Sequence, residues 1–210
     1  MNFHKALVIG FCAAALGGAG ARAANIIDNW ANVKAPEAPK LEDASLDAKT
    51  TALLILDFNA PICVPDKNPR CALAVDGAAK LLAAARAKGV FVAYTTGANG
   101  KSSDIAEKLK PIGSEPVILA GSDKFYGTDL DKVLKDHGIK TVVATGVASN
   151  GAVLFTATAA VRRDIAAYVA VDGMSSGSDY ADQMTAWQLA NSPGQAGKIK
   201  LTTADRVKFN

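Results

Sequence analysis

Short apolar runs alternate along most of this chain with stretches in which apolar residues recur every three or four positions. The run "TALLILDF" (51–58) is continuously apolar up to a carboxylate, the pattern of a strand buried on both faces. "AVDGAAKLLAAARAKG" (74–89) has helical periodicity and closes on a glycine, and "VFVAYTT" (90–96) returns to strand character. "PVILAG" predicts a short strand, "TDLDKVLKDHG" a helix capped by Thr128 and ended by Gly138, and "KTVVATGV" a further strand. A helix from about Gly151 follows, then a strand in "AAYVAVD", a helix in "SDYADQMTAWQLAN" and a last strand in "KIKLTT". This alternation predicts an α/β fold of three αβα layers, with a mainly parallel, Rossmann-like six-stranded sheet.

Both ends of the chain depart from the pattern. "MNFHK", the apolar run after it and "ARA" have the layout of a secretory signal peptide over residues 1–23, cleaved after Ala23. Residues 24–49, with "KAPEAPKLEDAS", mix proline and charge without a period and read as an extended N-terminal arm. Residues 50–210 then form one domain, and the destination of the mature chain is the periplasm or the exterior.

Cleavage changes the charge balance, because the leader takes Lys5 and Arg22 with it and leaves 21 basic against 20 acidic residues. No basic patch remains to favour nucleic acid, and no later segment is long enough to span a membrane. Two cysteines remain after the leader, Cys63 and Cys71 in "PICVPDKNPRC". An oxidising compartment suits a short-loop disulfide between them; two free thiols, or a reactive Cys63 near the first strand end, are the other readings. His137 is then the one histidine, so no metal site and no cofactor are expected.

Ligands of parallel sheets bind beyond the carboxyl ends of the strands. Asp57 ends the first buried run there, partly desolvated and suited to general acid or base work. Lys124, in "GSDKFYGTD", is a candidate to hold a carboxylate or an anionic group. "GVASNGAV" joins a strand to a helix, with Ser149 or Asn150 as expected N-cap and the Gly151 and Ala152 amides expected to face outward at the helix's positive end. Each candidate has a plainer reading: a strand-end turn, a solvated loop lysine, a helix start chosen for packing. Ser149 is a poor nucleophile, since no base for it is apparent in the sequence.

"TALLILDFN" and "DKFYGTDLDKVLKDHGIKTVVATGVASNGAVLFTATAAVRRDIAAYVAVDGMSS" together resemble the isochorismatase-like hydrolases, the superfamily of nicotinamidases and related cysteine hydrolases. The resemblance covers residues 51–203. It implies a catalytic Asp, Lys and Cys. The aspartate maps onto Asp57, while the cysteine maps onto Ala152, so the thiol is missing. It implies a non-proline cis peptide near Val147 and Ala148, orienting amides over residues 147–152 as an oxyanion or substrate site together with Asn59. The family lysine falls near Leu119 or Ala120, where this chain has none, and Lys124 is a displaced candidate. The metal set of nicotinamidases is absent. Isochorismatases proper also lack the thiol, because hydrolysing a vinyl ether needs a proton donor rather than a thioester.

The sequence therefore predicts an exported hydrolase of a small molecule that works by acid–base chemistry. The alternative is an inactive relative that binds a small ligand or a partner. Homo-oligomerisation is expected from the resemblance, with "MTAWQLAN" offering apolar residues.

Overall fold

A computed structural model describes residues 25–210; the predicted signal peptide lies outside them. The described residues fall into two units, 25–37 and Ala38–Asn210. In the first, Asn25 accepts from the amides of Ile27 and Asp28, and a single 3-10 turn spans Trp30–Asn32.

The second unit is built on eight strands: β1 (Ala44–Leu46), β2 (Thr51–Leu56), β3 (Phe91–Gly97), β4 (Val117–Ala120), β5 (Thr141–Val147), β6 (Ala166–Ser175), β7 (Ile199–Thr202) and β8 (Val207–Phe209). Four helices accompany them: α1 (Pro69–Ala87), α2 (Leu130–Asp136), α3 (Leu154–Val161) and α4 (Asp179–Asn191). Six strands form one parallel sheet in the order β4-β3-β2-β5-β6-β7. The order reverses between β2 and β5, which makes the carboxyl end of that pair the place for a ligand.

β2 runs through the centre, and all six of its residues are buried. Leu53 and Ile55 face the layer formed by α1, where they meet Ala78, Leu81 and Leu82. Leu54 and Leu56 face the opposite layer, with Leu130, Ala157 and Leu189 from the other three helices. This two-sided burial makes the strand apolar without alternation, each large side chain contributing about 1.5–3 kcal/mol. α1 starts where Asn68 accepts from the Cys71 amide and Pro69 opens the first turn. It lies so close to β6 that a Cβ on Gly77 would sit 2.2 Å from the Asp172 carbonyl oxygen.

Two elements differ from expectation. The segment read wholly as an arm instead contributes β1, whose Ala44 and Leu46 are buried as it pairs in parallel with β8. β6 continues past Asp172 to Ser175 through a shift in its register with β5. Asp172 is thus inside the strand, its carboxylate accepting from the Ala204 amide at 2.9 and 3.1 Å rather than facing a ligand.

Candidate active site at the β2–β5 switch point

Asp57 directly follows β2 with φ of 55°, a left-handed conformation that a non-glycine residue rarely adopts. Its own amide donates to the Thr95 carbonyl at 3.1 Å and its carbonyl accepts from the Asn59 amide at 2.9 Å. The turn therefore holds the carboxylate at the sheet edge. Oδ1 accepts from the Thr95 hydroxyl at 2.7 Å, and Oδ2 is 2.5 Å from Lys124 Nζ.

Lys124 has no solvent exposure, whereas the Asp57 side chain retains 18%. The ammonium also donates to the Gly121 carbonyl at 2.6 Å, and the loop around it is tied down by Thr128, which donates to the Lys124 carbonyl at 2.5 Å. Phe125, next in sequence, is buried and anchors the loop in the core. Leu119, near which the resemblance placed a lysine, is 55% exposed on β4. Lys124, further along the loop, reaches the carboxylate that follows β2. Of the two roles expected for it, holding a carboxylate or an anionic group, the contact made here is with a carboxylate, that of Asp57.

The turn after β5 is also placed beside this strand end. The Val147–Ala148 peptide is cis. A π-turn over Ser149–Val153 then leads into α3, which starts at Leu154 rather than near Gly151. Two expectations are corrected here. The Gly151 amide does not face outward, because it donates to the Ala148 carbonyl at 3.1 Å. Neither Ser149 nor Asn150 makes a side-chain cap; the buried Ser149 hydroxyl instead donates to Asp182 Oδ1 at 2.5 Å. Asn150 is exposed and Ala152 is buried.

Asp182 answers the absence of a partner for Ser149, but it is no free base. It also accepts from the Ser176 hydroxyl at 2.8 Å and pairs with Arg70, which reaches Asp179 as well. This cluster ties the first turns of α1 and α4 to the turn after β5. Sequence reasoning missed Thr95, Asp182 and Arg70. The threonine pair ending "VFVAYTT" was the available signal for the first; nothing local marks the other two, which come together only through the fold.

Cys63 and Cys71 form a disulfide that closes the loop after β2 onto the first turn of α1. With both engaged, no free thiol occurs among the described residues. Among those residues there is also no group of three or more His, Cys, Asp or Glu side chains placed to hold a metal.

Comparison with known proteins agrees with this architecture. The family model for the isochorismatase domain matches residues 51–205. An uncharacterised isochorismatase-family protein of Escherichia coli O157:H7, YecD, is 33% identical over 161 residues, covering 63% of this chain and 84% of the relative. Among solved structures, an isochorismatase family protein from Burkholderia thailandensis superposes with a TM-score of 0.65 at 24% identity, over 79% of this chain and 97% of the other. N-carbamoylsarcosine amidase from Thermoplasma acidophilum gives 0.64 at 22% identity, over 74% and 97% of the two chains. A family match over most of the described chain, on the three-layer sheet that these neighbours share, shows that this protein belongs to the isochorismatase family.

Proposed function

We propose that the protein is an exported small-molecule hydrolase that works by acid–base chemistry, with Asp57 as the proton carrier and no cysteine nucleophile. The observation that carries the reading is the pairing of a fully buried Lys124 with a partly exposed Asp57 at the switch point of the sheet. A buried ammonium is costly unless its charge is matched, and here the match is the Asp57 carboxylate. Its placement fixes the Asp57 carboxylate at the ligand edge of the sheet, in position to take a proton from water. At an amide or ester, water then adds to the carbonyl carbon, the bond to the leaving group breaks, and the proton passes from Asp57 to that group. Lys124 acts in place of the lysine that the family carries earlier in the loop. Ala152 stands where the family has its thiol, so no thioester forms.

The Cys63–Cys71 disulfide supports export, since such bonds persist in oxidising compartments. Self-association belongs to the same proposal and is supported by Trp187 and Phe155, which remain 42% and 48% exposed on α4 and α3. The second reading, a silent relative that only binds a ligand, is favoured by one observation: both Asp57 oxygens are already engaged, by Thr95 and Lys124.

A panel of amides, esters and vinyl ethers, assayed before and after treatment with iodoacetamide, tests the proposal. Turnover that alkylation leaves unchanged is expected. Turnover abolished by alkylation contradicts the thiol-free mechanism, and no turnover across the panel favours the binding reading. Gain of amidase activity in Ala152→Cys shows that the remaining machinery is intact.

A further inference from the structure

A cavity of about 420 Å³ opens just beyond Asp57, between the loops that follow β2 and β3. Its size is within the range of small-molecule sites. Asn59 and Gly97 line it, each two residues past one member of the hydrogen-bonded pair Asp57 and Thr95. The two loops are joined by bonds from the Ala60 amide to the Asp104 carbonyl at 2.6 Å and from the Ala106 amide to the Phe58 carbonyl at 2.8 Å. The wall of the cavity is therefore continuous with the turn that holds the carboxylate.

The lining contains one charged side chain, Asp104, together with the carboxamides of Asn59 and Asn99. Oδ2 of Asp104 accepts from the Lys101 amide at 2.9 Å, and Oδ1 meets only the Ser103 hydroxyl at 3.4 Å. Among the described residues no lysine or arginine pairs with it. The amides of Asn59 and Ile62 donate to the Asp57 and Asn59 carbonyls, and that of Gly100 donates to the Gly97 carbonyl. These three lining amides are thus turned into their own loops rather than toward a ligand.

We infer that this cavity takes the N–H-bearing, uncharged or positively charged end of the substrate, such as an amide, amidine or amine, and excludes carboxylates. The inference rests on the hydrolase reading for its place in a reaction, but its chemistry is that of binding. Asp104 and the two carboxamide oxygens accept hydrogen bonds from the ligand, while Ile62 and Pro61 cover its apolar part. A carboxylate in the same place faces an uncompensated charge of like sign.

Benzamidine, benzamide and benzoate share one ring and differ in charge, and so separate the possibilities. Titration of each into the protein, followed through the backbone amide signals of Asn99 and Gly100, reads binding without turnover. The expected order of affinity is benzamidine, then benzamide, with benzoate weakest. Asp104→Asn keeps an acceptor for the Lys101 amide and is expected to weaken benzamidine about tenfold, the loss of one charge-assisted hydrogen bond, while leaving benzoate unweakened. Ile62→Trp, at a position 52% exposed, is expected to fill the cavity and block benzamidine and benzamide alike. Benzoate binding tightest, an order unchanged in Asp104→Asn, or no response to any of the three overturns the inference. Absence of turnover by a protein that binds benzamidine in the expected manner counts against the hydrolase reading alone.

Discussion

Lys124 and Asp57 are each intelligible only through the other. A lysine side chain without solvent exposure is costly unless its charge is matched, and at 2.5 Å the Asp57 carboxylate matches it. Lys124→Met, which keeps the volume and removes the charge, leaves Asp57 facing the interior unpaired. The substitution is expected to lower stability by about 2–3 kcal/mol, less than for a fully buried pair because Asp57 keeps some contact with water. A urea midpoint equal to that of wild type would show that the pair contributes nothing to the fold. Asp57 was legible in the sequence because an apolar run ending in a carboxylate puts that group at the sheet's edge. The burial of Lys124 was not, since a lysine in a polar loop with Asp123 beside it reads the same whether it points in or out. Only the position of β2 next to that loop decides it.

At the scale of elements, the strands and helices of the sheet follow the period of the apolar residues closely, while their ends follow contacts made elsewhere. β6 runs on past Asp172 because its register shifts against β5, and β1 exists because β8 is there to pair with it. Neither cause is local in sequence. The end of α1 shows the same dependence. Arg86, in its last turn, holds Glu115 ahead of β4 by two hydrogen bonds of 2.9 and 2.7 Å and also donates to the Tyr94 hydroxyl at 2.9 Å. Burial alone raises the Glu115 carboxyl, but the bonds from Arg86 and from the Ile112 amide outweigh it and hold the group below its ordinary 4.5. A carboxyl depressed in the folded state contributes stability that is complete above the unfolded value and is lost as pH falls through the folded one. Wild type is therefore expected to lose stability below about pH 4.5, and Glu115→Gln to show a flatter profile there together with lower stability at neutral pH. Thermal melts at neutral and acid pH check this; parallel profiles for the two proteins contradict it.

For the whole molecule, the sheet order, the reversal between β2 and β5, and the loops of β2, β3 and β4 bring a carboxylate, its ammonium partner and a cavity to one edge. The turn after β5, with Ala152 buried in it, meets that edge, and Asp182 and Arg70 brace it from two helices. The proposed chemistry accordingly depends on one proton carrier. The most direct test is the turnover of Asp57→Asn relative to wild type, on whichever amide, ester or vinyl ether the wild type hydrolyses, with folding checked by thermal melt. Loss of at least about a hundredfold in a folded protein is the predicted result, in line with removal of a general acid–base group. Turnover that survives the substitution would remove Asp57 from the mechanism and contradict the account.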